Sequence, residues 1–414
     1  AARFSNRFIR PLYDGYGFAQ IPQTIRYLLT DSNQKGVPFG PRDDLYQKYD
    51  TVILFFVDAF GWRFFEQYHQ RSPFLRRAAE DGLVSTLTSQ FPSTTAAHVT
   101  AIHTGLPVGQ SGVYEWYYYE PLLDRMIAPL LFSFAGDKWR DTLEPTGVSA
   151  RALYPTRTLY HDLQPHGVDS IVLQNHTYAD SPYTQIVTDG ARVVPYRTLP
   201  EALITLDQLL DAQKRRSYYF VYVDSIDTIC HRYGPESAHT AAEIEVFLAT
   251  MELIFHKRMA QHKRRALCML TADHGQVAID PATTIYLNQR FPQLLPYLMT
   301  NRAGQPLAPA GSSRDMFLHI KHEHLDEAHA FLRQALQGRA EIYRVQELIE
   351  QGFFGANPPS AAFMSRVGNL VILPYQHETV WWYEQGRFEQ KFYGSHGGLT
   401  PEEMQTLLLV QSYR

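Results

Sequence analysis

Three apolar segments of the chain each end in an aspartate, and this pattern constrains the fold more than any other feature. They are "YDTVILFFVDAFGW" (49–62), "SYYFVYVDSID" (217–227) and "RALCMLTADHG" (265–275). Continuous apolar runs of this kind are typical of strands buried on both faces of a parallel sheet. Segments with helical spacing precede the second and third strands. We therefore expect an α/β fold with a central, mostly parallel sheet and helices on both faces.

Residues 276–393 depart from this pattern. They hold a Pro/Gly-rich piece, "RAGQPLAPAGSS", the strand-like segments "MFLHI" and "GNLVILP", and a segment with helical spacing, "HLDEAHAFLRQALQ". We interpret 276–393 as an inserted α+β cap, which leaves 1–275 and 394–414 as the core. A smaller, Tyr- and Pro-rich insertion is expected over residues 114–195.

Composition excludes several classes of protein. The 38 Lys and Arg against 42 Asp and Glu give a net charge of -4, so the chain lacks the basic excess of a nucleic-acid-binding protein. No apolar run reaches the roughly 18 residues of a membrane span. The two cysteines, Cys230 and Cys268, are too few for a disulfide framework. With no targeting segment visible, a reducing, cytoplasmic location is the expectation.

Polar side chains follow each of the three predicted strands. Asp58 ends the first, Asp227 and His231 follow the second four residues apart, and Asp273 and His274 end the third. One more histidine, His396, lies in "GSHGG" near the end of the chain. The carboxyl ends of parallel strands share one edge of a sheet. Three carboxylates and three imidazoles there would suit two zinc-like ions with about three protein ligands each. Taken singly, such residues are more often helix caps or packed histidines.

The stretch "FPSTTAAHVTAIHTG" (91–105) carries two adjacent threonines, Thr94 and Thr95, after a proline. One reading is a helix N-cap, since Ser and Thr side chains accept hydrogen bonds from free backbone N–H groups. The other reading is that one of the two hydroxyls is a nucleophile. Either reading predicts that a helix begins here.

Taken in order, the motifs around Asp58, "PSTT", 227–235, "DHG" and "SHGG" resemble those of the alkaline phosphatase superfamily, most closely the type I phosphodiesterase/nucleotide pyrophosphatase branch. The resemblance implies a hydrolase that cleaves phosphodiester or pyrophosphate bonds of a small phosphate ester through a phosphothreonine intermediate. It also implies two divalent metal ions, with zinc expected and manganese or magnesium as alternatives. Other members of the superfamily would be a phosphomonoesterase, a phosphonate hydrolase or a phosphoryl-transferring enzyme. A binding module without activity is disfavoured, because unused carboxylates gathered at one site would repel each other.

The resemblance also assigns residues to roles. One ion would be held by Asp58, Asp273 and His274, and the other by Asp227, His231 and His396. Asp224 competes with Asp227, but the carboxylate four residues before the histidine matches the family spacing. Counting forward from Pro92 and back from Thr104–Gly105 both give Thr95 as the nucleophile.

The sequence departs from the nucleotide-cleaving relatives at two positions. Ala96 replaces the aromatic residue that follows their nucleophile, and Trp116 replaces an Asn that would hold a phosphate oxygen. Tyr222 matches their base-stacking tyrosine, although a strand tyrosine with a satisfied hydroxyl is an equally plain reading. Trp116 and Tyr222 are therefore the candidate substrate contacts, and a nucleobase would find only one of its two expected partners.

Residues 90–110 contain no Arg or Lys. Without a cation beside the nucleophile, a singly charged diester is expected to be a better substrate than a doubly charged monoester. A cation that reaches the site from an insertion, such as Lys138, Arg140 or Arg314, would weaken this expectation.

Overall fold

The structure is a computed structural model that describes residues 3–262 and 264–413. A seven-stranded sheet forms its centre. In chain order the strands are β1 (Thr51–Val57), β2 (Leu83–Thr88), β3 (Val168–Asn175), β4 (Arg192–Tyr196), β5 (Arg216–Val223), β6 (Ala266–Thr271) and β7 (Gln405–Tyr413). Their spatial order is β2-β7-β6-β1-β5-β3-β4. Only the two pairings of β7 are antiparallel, so the predicted α/β fold with a mostly parallel sheet is confirmed.

Strand β1 is buried along its whole length because helices cover both faces of the sheet. Alternate residues of β1 point to opposite faces, with Phe56 in one apolar core and Phe55 in the other. Helices on the Phe56 side are Ile21–Leu29, Thr95–Thr104, Leu159–Leu163 and Pro182–Val187. Helices on the Phe55 side are Trp62–Tyr68, Pro73–Asp81, Leu199–Ala212, Ser225–Tyr233 and Ala238–Thr250. The last of these continues through a π-helical turn, Met251–His256, into Lys257–Met259.

The segment 276–393 contains a separate three-stranded antiparallel sheet, Met316–Leu318, Leu370–Pro374 and Ala340–Arg344, with the helix Leu325–Ala335 against it. Its side chains pack in two directions. Trp381 and Leu332 belong to an apolar cluster within the segment, whereas Phe317 and Val371 join the core of the main sheet. The division into a core and a cap stays a prediction. Short helices in and around it are Leu287–Arg290, Val345–Glu350, Ala361–Arg366 and Pro401–Met404.

The expectation that residues 114–195 form an insertion is wrong for the second half of that segment. Strands β3 and β4 lie within it and complete one end of the main sheet. The first half does form a small sheet of its own, Tyr118–Glu120, Arg125–Ala128 and Ser133–Phe134. The short helices Val108–Ser111 and Ala150–Leu153 flank this small sheet in sequence.

A buried ion pair joins the 276–393 segment to the loop before β7. Arg314 and Glu403 are both fully buried and form two parallel hydrogen bonds of 2.9 Å each. The Glu403 carboxylate also accepts hydrogen bonds from the backbone N–H of Gly398 and the hydroxyl of Thr400. Burial of two charges is tolerated here because each is paired and hydrogen-bonded. The pair thereby fixes the loop that carries His396.

Two features bear on the expectations from composition. Cys230 and Cys268 are both free and buried. Within residues 3–262 and 264–413, no helix is both long enough and apolar enough to cross a bilayer.

Candidate active site

Strands β1, β5 and β6 are parallel neighbours, so the polar residues that follow them meet at one edge of the sheet. Asp58 directly follows β1, and its backbone N–H donates to the carbonyl of Val223 at the end of β5 (2.9 Å). The next N–H, that of Ala59, donates to Oδ1 of Asp273 beyond β6 (3.2 Å). One backbone hydrogen bond and one bond from the backbone to a carboxylate thus join the three strand ends, which gives the carboxylates fixed positions.

The first group of potential metal ligands consists of Asp58, Asp273 and His274. One ligand atom from each lies within 4.8 Å of the others. Nε2 of His274 is 3.2 Å from Oδ2 of Asp273 and 3.5 Å from Oδ1 of Asp58. All three side chains are buried. This is the set that the sequence assigns to one ion.

The second set assigned from the sequence, Asp227, His231 and His396, lies beside the first. Asp227 and His231 are one turn apart on the helix Ser225–Tyr233, with Oδ2 and Nε2 at 3.4 Å. Nε2 of His396 is 3.8 Å from Oδ1 of Asp227. The ring of His274 stacks on that of His396 with centroids 3.6 Å apart, and Asp227, His274 and His396 each offer a ligand atom within 4.8 Å of the others. His274 therefore stands between the two sets, and all six side chains form one continuous cluster.

The three histidines share one orientation, which leaves Nε2 free to act as a ligand. Each Nδ1 lies at hydrogen-bond distance from a backbone carbonyl. For His274, His231 and His396 these carbonyls belong to Gly275 (3.0 Å), Gly394 (2.8 Å) and Ser93 (2.9 Å). A carbonyl only accepts, so Nδ1 carries the proton and Nε2 presents a lone pair. The lone pairs then face carboxylate oxygens, which also only accept, and a cation between them would satisfy both.

Burial and mutual repulsion set the protonation of the cluster in the absence of a cation. Burial, reinforced by the charge of Asp273, raises the pKa of Asp58 well above its ordinary range. Burial, reinforced by Asp227, raises the pKa of Asp273 to about 7. Burial lowers the pKa of His396 to about 4 and that of His274 well below its ordinary value. Each shift favours the uncharged form, as expected for ligands that a divalent ion would neutralise.

Thr95 is the first residue of the helix Thr95–Thr104 and points into the cluster. Its Oγ1 is 3.2 Å from Nε2 of His274 and 3.4 Å from both carboxylate oxygens of Asp58. Thr94 occupies the N-cap position, but its hydroxyl makes no capping hydrogen bond. Thr95 is 9% exposed and Thr94 only 1%, so Thr95 is the threonine that a ligand can reach.

A cavity of about 220 Å³ opens in front of Thr95 and is bounded by Asp58 and Asp227. Both predicted substrate contacts, Trp116 and Tyr222, line it. The Tyr222 hydroxyl donates to Oδ2 of Asp58 at 2.5 Å. Tyr222 thus lines the cavity, as a substrate contact would, and its hydroxyl is hydrogen-bonded to Asp58, as expected of a structural tyrosine. Both interpretations of Tyr222 from the sequence are therefore compatible with its position.

The alternative carboxylate, Asp224, lines the cavity but belongs to neither metal-ligand group. Its Oδ2 accepts a hydrogen bond from the hydroxyl of Tyr178 at 2.9 Å. Of the three cations that could have reached the site, Arg314 is buried against Glu403 and Lys138 is exposed, whereas Arg140 lines the cavity.

Two supporting residues were not identified from the sequence. Gln276 donates from Nε2 to Oδ1 of Asp227 at 2.5 Å, and its position directly after "DHG" was an available signal. His98 is buried one turn after Thr94, with Nδ1 2.7 Å from the Thr94 carbonyl. Its Nε2 accepts from the backbone N–H of Gln90 at 2.8 Å. His98 therefore braces the turn that presents Thr95.

Comparison with known proteins identifies the family of the chain. The model of the family described as type I phosphodiesterase / nucleotide pyrophosphatase matches residues 52–399. No curated protein matches the sequence significantly.

The chain is similar to solved structures over most of its length. Murine ectonucleotide pyrophosphatase/phosphodiesterase 5 aligns over 87% of each chain with a TM-score of 0.64 and 16% identity. The human protein of the same name aligns over 87% of each chain with a TM-score of 0.63 and 15% identity. Phosphonoacetate hydrolase from Sinorhizobium meliloti 1021 aligns over 92% of each chain with a TM-score of 0.62 and 17% identity. At these identities the similarity shows the fold, and the family match shows the relationship. The chain belongs to the type I phosphodiesterase/nucleotide pyrophosphatase family of phosphoester hydrolases, within the alkaline phosphatase superfamily.

Proposed function

We propose that this chain is a metal-dependent hydrolase that cleaves phosphodiester or pyrophosphate bonds through a phosphothreonine intermediate on Thr95. The observation that carries the proposal is the position of the Thr95 hydroxyl. It lies at the helix N-terminus, reaches the cavity, and is within 3.4 Å of two residues of the ligand cluster, Asp58 and His274.

The six clustered side chains fit two divalent ions. Asp58, Asp273 and His274 would hold one, and Asp227, His231 and His396 the other. Imidazole and carboxylate donors favour zinc, with manganese or magnesium as alternatives. When bound, such ions supply positive charge that favours the deprotonated nucleophile and neutralises phosphate oxygens.

The chain's own residues account for the remaining steps. Oγ1 of Thr95 forms a bond to phosphorus as the bond from phosphorus to the leaving oxygen breaks, and the hydroxyl proton passes to solvent. The free N–H groups in the first turn of the helix Thr95–Thr104 face the phosphoryl group and stabilise its negative charge. Water then cleaves the phosphothreonine and restores the hydroxyl. Tyr222 and Gln276 keep Asp58 and Asp227 in place throughout.

Two similar proteins support this reaction class. A structure of the murine ectonucleotide pyrophosphatase/phosphodiesterase 5 describes an inactive threonine-to-alanine variant in complex with AMP. The Sinorhizobium enzyme is a phosphonoacetate hydrolase seen with phosphonoacetate, which makes phosphonate hydrolysis a second candidate function for this chain. Phosphomonoester hydrolysis and phosphoryl transfer are also candidate reactions, because both would use the same nucleophile and the same metal ligands.

Replacing the nucleophile tests the proposal directly. Thr95→Ala is expected to lower kcat/KM on bis(p-nitrophenyl) phosphate by about a thousand-fold or more, because covalent catalysis is lost. Thr94→Ala, the matched control one residue away, is expected to cost less than about tenfold, since its hydroxyl does not reach the cavity. Acid-quenched wild-type enzyme should yield a phosphorylated peptide that contains Thr95. A mild Thr95→Ala and a severe Thr94→Ala would show that the nucleophile is Thr94.

Metal binding is expected to compete with protons. In the metal-free protein the folded state raises the pKa of Asp273 from 3.8 to about 7, so between these values the folded state holds more protons than the unfolded state. The resulting stabilisation is present at low pH and is lost as the pH rises through about 7. Zinc should therefore raise the melting temperature by roughly 3 °C or more near pH 8 and by clearly less near pH 6.

Two aspartates provide the control for this measurement. Asp227→Asn should abolish much of the zinc-induced rise in melting temperature. Asp224 lies outside both ligand groups, so the Asp224→Asn variant should retain that rise. A shift of equal size at both pH values, or one that depends on Asp224 instead of Asp227, would contradict the ligand assignment.

The substrate class can be tested with a matched pair of esters. Among the described residues, no Arg or Lys contacts the Thr95 hydroxyl, and Arg140, which lines the cavity, is not within hydrogen-bond distance of it, so no side-chain cation lies directly at the reacting phosphate to meet the second charge of a monoester. Bis(p-nitrophenyl) phosphate is expected to be cleaved with a higher kcat/KM than p-nitrophenyl phosphate at saturating metal. An advantage of about tenfold or more for the monoester would favour a phosphomonoesterase instead.

A further inference from the structure

We infer that the cavity in front of Thr95 selects phosphate esters that carry a second anionic group, a carboxylate or another phosphate, and that Arg140 binds this group. The inference rests on the proposed function, because it assumes that the reacting phosphate lies at Thr95. It concerns another residue that lines the same cavity.

Arg140 is the one arginine that lines this cavity in the part of the chain that the structure describes. Its guanidinium is partly buried and donates a single hydrogen bond, from Nη2 to the carbonyl of Leu130 at 3.0 Å. The negative charge of Asp141, the next residue, acts on it, but within residues 3–262 and 264–413 no carboxylate forms a direct ion pair with it. Partly buried cations are normally paired, since withdrawal from water costs free energy that a counter-charge offsets. A bound anion would provide that counter-charge.

The loop around Arg140 is fixed by hydrogen bonds on both sides. The hydroxyl of Thr142 donates to Asp137 at 2.7 Å and accepts from the backbone N–H of Phe134 at 3.0 Å. The hydroxyl of Ser133 donates to the carbonyl of Trp139 at 2.9 Å. The guanidinium therefore reaches the cavity from a preorganised loop, which lowers the entropic cost of binding a ligand.

The surroundings of Arg140 strengthen its attraction for an anion. Apolar side chains, Val99, Leu131 and Val187, line the cavity with it. The carboxylates in the lining are Asp58 and Asp227 of the ligand cluster and Asp224, so Arg140 is the one cationic side chain of the described lining that an anion can meet. In such a setting a charge pair is screened less than in bulk water. Burial lowers the pKa of Arg140 from its ordinary value, a consequence of the same loss of solvent. The planar guanidinium can offer two parallel N–H groups, which match a carboxylate or a phosphate.

The size of the cavity limits what the anionic group can be attached to. Its volume of about 220 Å³ is below the roughly 300–1,000 Å³ typical of pockets for drug-sized ligands. Because the cavity is open to solvent on one side, the second group of a large diester can extend outside it, whereas a short acidic substituent stays within the cavity that Arg140 lines. The preferred substrate is thus a small ester or anhydride that carries one negative charge at the reacting phosphorus and at least one more nearby.

The test compares p-nitrophenyl phosphates that share a leaving group. Carboxymethyl p-nitrophenyl phosphate carries the extra anion, and carbamoylmethyl p-nitrophenyl phosphate is its uncharged counterpart of nearly equal shape. A third ester, p-nitrophenyl diphosphate, supplies the anion as a phosphate. Wild-type kcat/KM should be about tenfold or more higher on at least one anionic ester than on the uncharged one, and the better of the two identifies the source of the charge.

In Arg140→Gln the ratio between the anionic and the uncharged ester should fall to near one. Lys138→Gln removes an exposed cation from the same loop and should preserve the wild-type ratio. Equal wild-type rates on all three esters would overturn the inference. A ratio unchanged in Arg140→Gln, or lost equally in Lys138→Gln, would overturn it as well, because the preference would then come from elsewhere or from long-range attraction.

A binding measurement separates this inference from the proposed function. Calorimetry in the Thr95→Ala background compares phosphoglycolate with phosphoglycolamide, with and without Arg140→Gln. Tighter binding of phosphoglycolate that disappears in the Arg140 variant supports the inference even if no ester is hydrolysed. The absence of hydrolysis would by itself contradict the proposed function. Turnover that requires Thr95, together with equal binding of the two ligands, would retain the proposed function and reject the role of Arg140.

Discussion

The site depends on the electrostatic repulsion between buried carboxylates and imidazole lone pairs at the edge of the sheet where β1, β5 and β6 end. Buried carboxylates and imidazole lone pairs face one another there, for example across the 3.2 Å between Asp273 and His274. Only protons or cations can relieve this repulsion. The backbone hydrogen bonds of the three histidines prevent them from turning their N–H groups toward the carboxylates, so the arrangement is stable in a form that accepts metal ions.

The surrounding strands, helix and loop hold these mutually repelling side chains close together. Parallel pairing aligns the ends of the three strands, and the helix Thr95–Thr104 directs its first residue at the same point. The loop with His396 belongs to a distant part of the chain, and the Arg314–Glu403 pair secures it to the 276–393 segment. The proposed nucleophile and the proposed metal ligands are thus rigidly positioned before a substrate arrives, which is what electrostatic catalysis requires.

Much of this site could be predicted from the sequence because its residues are tied to strand ends. A buried strand that stops at an aspartate fixes both the burial and the edge at which the side chain lies, so Asp58 and Asp273 could be grouped without coordinates. The choice of Asp227 over Asp224, which directly follows β5, came from the resemblance to the family spacing. Strand β4 was missed because it is an edge strand, only partly buried and containing Pro195, and so lacks the continuous apolar run of a central strand. Arg140 could not be assigned a role because only the folded chain shows that its loop lines the cavity. His98 could not be assigned because a single histidine in a helical segment gives no signal of the backbone groups that it contacts.

The central claim is that two cations occupy the cluster beside Thr95, and anomalous X-ray diffraction from crystals grown with zinc tests it most directly. Data collected on both sides of the zinc absorption edge should reveal two peaks. One should lie among Asp58, Asp273 and His274, and the other should lie among Asp227, His231 and His396, with the Thr95 oxygen adjacent to both. A single peak shared by His274 and His396, or no peak in this cluster, would contradict the two-ion account.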